Sequence, residues 1–193
     1  MDFRFFLQGI SKVILSPGAY WEMIIREKTS VSFVRNSMLL VFAVLIAAFG
    51  FAGSIIFTNS HLAPVYSVLY SVQCFLVILL SVYLTSAVLV IASGFAGLSI
   101  TFGMAFRMIV ISLIPFFLCQ LLSKLFESFQ FVNILALFGL NIFWIGIRKQ
   151  TKADEKQKLT LLIVTFITFS LMYVTSDLVL GLFADRIYFG IFA

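Results

Sequence analysis

The sequence predicts an all-α fold, a polytopic membrane helix bundle of five transmembrane helices with short N-terminal interfacial amphipathic helices. Three observations predict it. Of 193 residues, 62% are hydrophobic and 11% charged, with a mean hydropathy of +1.15, whereas a soluble domain carries about 25% charged residues. From Asn36 to Phe106 there is no Asp, Glu, Lys or Arg, and ~20 apolar residues suffice to cross the hydrocarbon core once. The formal charge of +5 resides in two segments, 1–36 and 148–158, which is the pattern of cytoplasmic segments that flank membrane spans. Together these exclude an ordinary water-soluble enzyme, a disordered chain and a disulfide scaffold.

Residues 1–36 form a cytoplasmic, interfacial segment. Phe3, Phe6, Leu7, Ile10, Val13 and Ile14 fall on one helical face, but the stretch is too short and too polar to span. It can lie along the inner interface, aromatic side down, with Arg4 and Lys12 near anionic headgroups. Arg4, Gln8 and Lys12 also interrupt any apolar run that a cleavable signal peptide would need. Ser16-Pro17 stops this helix and starts another over about 17–27, because Ser suits the N-cap and Pro the first helical position. On the second helix Trp21, Ile24 and Ile25 share one side, and Glu22 with Arg26 makes an i,i+4 pair.

Residues 37–193 form one five-span membrane domain. The charge-free run is too long for one span and fits two, about 37–58 and 67–92, broken at NSHLAP (59–64), where Asn, Ser and Pro supply turn chemistry. Tyr66 and Tyr70 fall where an interfacial belt belongs. Ala48 with Ala52, and Gly50 with Ser54, offer small-residue spacing for close helix contact. SGFAGLSITFG (93–103) is a flexible bend. Span three, about 104–123, lies between Arg107 and Lys124, whose side chains must snorkel toward the interfaces. Pro115 near its middle kinks it. Span four covers about 128–147 and span five about 159–182, followed by a short aromatic tail from Ala184-Asp185-Arg186. A re-entrant hairpin of spans three and four leaves the same charge pattern. Counting Lys and Arg, the inner segments hold ten basic residues, or eleven with Arg107, when the N-terminus is cytoplasmic and the C-terminus outside.

Little chemistry accompanies this topology. Cys74 and Cys119 sit in apolar runs without a CxxC partner and read as small packers. The single histidine, His61, has no partners for a metal centre or a triad. Arg107, near the inner end of span three, and Asp177 are the two candidates for an ionisable residue within the membrane; at 1.5 Å per residue Asp177 is about 27 Å along span five, close to the outer interface. Both read as interfacial anchors, and a pairing between them inside the bundle would point to gating or substrate binding. Gln73, Asn133 and Asn141 read as interhelical hydrogen-bonding groups that do not converge on one depth. GFAGLSITFG lacks both the GxxxxGK[ST] and GxGxxG patterns, so it is no phosphate loop. No catalytic, cofactor-binding or metal-binding residue is assigned, and no cofactor is expected. Nucleic acid is not an expected partner, since no base-reading module accompanies the charge.

Three stretches together resemble the Yip-domain family, five-span membrane proteins named for eukaryotic members that interact with Ypt/Rab GTPases. They are LSPGAYWEMI with Pro17 and Trp21; GFAGLSITFGMAFRMIVISLIP with Gly94, Gly97, Phe102 and Pro115; and the basic loop GIRKQTKADEKQK with Arg148, Lys149 and Lys152. The first 36 residues hold no Asp-Leu-Tyr-Gly-Pro motif of the eukaryotic members, so the resemblance is to the bacterial branch and carries no Rab binding. It implies a five-span topology and a partner-binding role rather than a reaction. The expected protein is thus a non-enzymatic partner-binding, assembly or membrane-organising factor of the bacterial cytoplasmic membrane. Its expected partners are the lipid bilayer with anionic headgroups and other membrane proteins, with a homo-oligomer left open. The alternative is a small transporter or lipid-translocating protein using the kinked third span and Arg107.

Overall fold

The structure, a computed structural model, describes residues 3–57 and 63–192, with side chains described for 9–56, 64–126 and 128–190. Along the chain run α1 (Phe3–Leu15), α2 (Pro17–Arg26) and α3 (Val31–Val34). A π-helical segment, Arg35–Leu39, leads without a break into α4 (Leu40–Phe57). Next come α5 (Ala63–Phe95), α6 (Phe102–Ser112) and α7 (Ile114–Leu125). A 3-10 stretch, Glu127–Leu137, leads into α8 (Phe138–Gln150), and α9 (Glu155–Phe192) closes the chain. Among the described residues there is no strand. Among the described residues four stretches are long and apolar enough to cross a membrane: Val31–Ile56, Pro64–Phe95, Ser128–Gln150 and Glu155–Gly190. The pair α6–α7 supplies a fifth when it is counted as one span. The fold is the all-α polytopic bundle that the composition implies.

The fifth segment is bent by 49° between α6 and α7. Pro115 explains the bend: it lacks the N–H that would reach back to the Ile111 carbonyl, and its ring collides with that carbonyl in a straight helix. The regular pattern resumes at once, with the Phe117 N–H donating to the Leu113 carbonyl at 2.9 Å.

The stretch read as a flexible bend is a tightly bonded turn. Gly97 has φ +72, a left-handed conformation that suits glycine. Its N–H donates to the Gly94 carbonyl at 3.0 Å and the Leu98 N–H to the Ser93 carbonyl at 2.8 Å, the paired bonds of a Schellman C-cap. Thr101 then caps α6, its side chain accepting from the Met104 N–H. A further difference concerns a helix end. α9 continues unbroken through Asp185 and Arg186 instead of ending near Leu182. The turn expected at 59–64, with His61, falls mostly outside the described residues.

α5 lies along both α4 and α9, α7 crosses α4, and α2 packs on α8. Phe42, Phe106, Phe117 and Ile111 fill the centre with almost no exposure. Large apolar side chains such as Leu171 and Leu178 on α9 point outward. In a helix that is apolar all round, such an outer face meets acyl chains rather than water.

Candidate functional site

Along residues 9–26 the N-terminal helices turn apolar side chains onto the bundle. Val13 of α1 and Tyr20, Trp21 and Ile24 of α2 are buried, while Ile25, expected beside Trp21, is 43% exposed. Pro17 occupies the first turn of α2. Trp21 is the anchor: its indole N–H donates to the Ile142 carbonyl of α8 at 3.0 Å. That carbonyl has a second lone pair for its own helical bond. One turn further along α8, a Cβ on Gly146 would lie 2.7 Å from two indole carbons, so the ring needs the bare backbone there. Glu22 does not pair with Arg26; its carboxylate accepts from Lys149 on α8. That hydrogen bond, with the lysine's charge behind it, holds the Glu22 carboxyl below its ordinary value. Burial, with some help from Glu27, pushes the Tyr20 phenol well up.

Arg107 reaches to the same end of the molecule. Its guanidinium donates to the Thr29 carbonyl at 2.7 Å, in the link between α2 and α3. Its Nε is buried without a partner among the described residues. Phe102 at the start of α6 is 43% exposed and stacks on Tyr83 at 6.4 Å. The turn containing Gly94 and Gly97 is tied to the other basic segment, since Gln157 donates to the Ala96 carbonyl at 2.8 Å. Arg26, Lys28, Arg148, Lys149 and Lys152 are exposed. The structure therefore gathers Pro17, Trp21, Gly94, Gly97, Phe102, Arg107, Arg148, Lys149 and Lys152 toward one end. Pro115 stands apart, at the bend.

A second polar group at the opposite end has no counterpart in the motifs. Lys124 at the end of α7 donates to the Tyr70 hydroxyl at 3.0 Å. Tyr173 donates to Gln120 at 3.1 Å, and Gln120 donates to Asn133 at 3.3 Å. These residues border a cavity of about 370 Å³ whose remaining wall includes Gly53 and Ser54 of α4. Nearby, Gln73 donates to the Asp177 carboxylate at 2.9 Å. Asp177 is thus a partner of Gln73, not of Arg107, and Asn133 converges with Gln120 and Tyr173 instead of standing alone. A second cavity of about 290 Å³, mostly apolar, lies between the α6–α7 bend, the 3-10 stretch with α8, and α9. Arg107 borders neither cavity.

The signals for this second group are faint in sequence. Gln120 and Lys124 are one helical turn apart on an otherwise apolar helix, yet their partners lie 53 and 54 residues away. Among the described residues no three His, Cys, Asp or Glu side chains could hold a metal ion. In comparison with known proteins, the family model described as the Yip1 domain matches residues 11–176. No curated protein matches the chain, and no solved structure does.

Proposed function

The chain belongs to the Yip1 domain family, and from that premise we propose that it is a non-enzymatic membrane protein that binds partner membrane proteins through its basic end. The observation that carries this reading is the meeting of two basic segments far apart in sequence, joined by the Glu22–Lys149 pair. α2 is held on α8 by Trp21, and the α2–α3 link by Arg107. The exposed cations Arg26, Lys28, Arg148, Lys149 and Lys152 therefore share a supported platform. Such a platform attracts acidic partner surfaces and anionic headgroups. The excess of Lys and Arg supports a cytoplasmic platform with the C-terminus outside, and the resemblance to the bacterial branch supports a bacterial cytoplasmic membrane.

In this reading Pro17, Trp21, Gly94, Gly97, Phe102 and Arg107 shape the platform, Arg148, Lys149 and Lys152 touch the partner, and Pro115 sets the bend. No catalytic residue, cofactor or metal is assigned. A transport path through Arg107 gains no support, since Arg107 holds a backbone carbonyl and borders neither cavity. The test is co-purification from native membranes of the wild type and of a variant carrying Arg148→Gln, Lys149→Gln and Lys152→Gln. A membrane protein retained in stoichiometric amount by the wild type and lost by the variant is the expected result. Equal recovery with both would overturn the proposal.

A further inference from the structure

The two cavities share a wall. Asn133 and Tyr173 line both, so the polar chamber and the apolar chamber adjoin. At the polar end the Lys124 ammonium carries three donors, and Tyr70 takes one. The Asp177 carboxylate has its Oδ1 on the Gln73 amide. Around Lys124 the wall is made of neutral hydrogen-bonding groups, among them Gln120, itself only 5% exposed. An ionisable group held within the spans is costly and marks a functional site. In the apolar chamber Ser112 and Thr165 have buried hydroxyl oxygens with no partner among the described residues. Phe116 and Phe169 furnish its hydrophobic lining, in edge-to-face contact at 5.1 Å.

The Lys124 cation beside neutral donors and acceptors suits a headgroup with a single negative charge and several oxygens. The adjoining apolar chamber suits a hydrocarbon chain. A soluble anion would use the first chamber only and a neutral oil the second only. We propose that the two chambers form one site for an anionic phospholipid, its phosphate at Lys124 and an acyl chain beside the α6–α7 bend. This site is at the opposite end from the basic platform and does not depend on the platform's role.

The test uses the purified full chain carrying Arg148→Gln, Lys149→Gln and Lys152→Gln, so that the basic platform does not contribute. It is stripped of lipid in detergent and titrated in native mass spectrometry with phosphatidylglycerol, phosphatidylcholine or inorganic phosphate. One phosphatidylglycerol per chain is expected, about ten-fold or more tighter than phosphatidylcholine. Lys124→Gln lowers that affinity by about ten-fold or more, the effect of losing one charge-assisted hydrogen bond. Lys124→Arg keeps most of it. Ala136→Trp, which fills the apolar chamber, weakens phosphatidylglycerol without affecting phosphate. That variant leaves the Lys124–Tyr70 contact in place, so it decides the question if Lys124→Gln does not fold. Equal binding of the two lipids would overturn the proposal. So would phosphatidylglycerol binding unchanged by Ala136→Trp, or its displacement by inorganic phosphate at matched concentration, which would mark a site for a free anion.

Discussion

The indole of Trp21 rests on Gly146: a methyl group at that glycine would sit 2.7 Å from two of its ring carbons. The same side chain hydrogen-bonds the Ile142 carbonyl, one turn earlier on α8. Steric fit and a polar bond thus fix where α2 lies on the bundle. Everything at the basic end depends on that placement, because α2 brings Glu22 to Lys149.

Trp21→Ala should destabilise the protein by about 3–5 kcal/mol, the range for emptying a large aromatic site. Gly146→Ala should cost about 1–3 kcal/mol by overpacking the ring, against the roughly 1 kcal/mol that alanine ordinarily gains over glycine within a helix. The decisive outcome is their combination. In the Trp21→Ala background the ring is gone, so Gly146→Ala should turn neutral or stabilising. Denaturation of the four proteins in detergent reads the coupling; simple additivity would mean that the two residues do not touch.

Glu22 supplies a prediction in pH. Its carboxyl is held below the ordinary 4.5 by Lys149, and a depressed carboxylate stabilises the folded state above its unfolded value. That contribution is lost as the pH falls through the lowered value. Carbon NMR of the Glu22 side chain should show a midpoint below 4.5, moving up to the ordinary range in Lys149→Gln. Because the pair is on the surface, raising the salt concentration should shrink the difference. A midpoint indifferent to Lys149→Gln would break the link between the two segments.

Arg107→Met removes the donor that holds the Thr29 carbonyl. A hydrogen bond from a charged group is worth about 1.5–3 kcal/mol, so amide exchange across residues 27–31 should quicken by a corresponding factor. Helix α6 itself should keep its protection. If exchange there stays as slow as in the wild type, Arg107 serves something other than this link.

Pro115→Ala restores an N–H facing the Ile111 carbonyl and relieves the ring clash, so the 49° bend should lessen. Spin labels at Phe102 and Leu122, both partly exposed, should move apart as the segment straightens. An unchanged distance would assign the bend to packing by the neighbouring helices.

Much of the fold is legible in the sequence because membrane spans announce themselves locally. The charge-free run 36–106 divides into two spans by its polar break, and Ser16-Pro17 marks the start of α2 from neighbouring residues alone. The turn after α5 is signalled by Gly97, although its rigidity emerges only with the Schellman bonds and the Thr101 cap. Trp21 is visible as an apolar residue on an amphipathic helix, but what it buries against is not. Gly146 lies 125 positions away, with nothing local to connect them. The same holds for Lys124, Tyr70, Gln120 and Tyr173, each unremarkable in its own span and meaningful only when three helices meet. The 3-10 stretch Glu127–Leu137 escapes as well, since its apolar composition reads equally as α-helix.

The central claim, that the basic end is where partners bind, is tested most directly by photo-crosslinking in native membranes from two positions. One reactive group replaces Lys152 on the platform. The other replaces Ile134, 70% exposed in the 3-10 stretch. A discrete cross-linked membrane protein from position 152, absent from position 134, is the predicted result. Cross-links from 134 alone, or only lipid adducts from both positions, would contradict it.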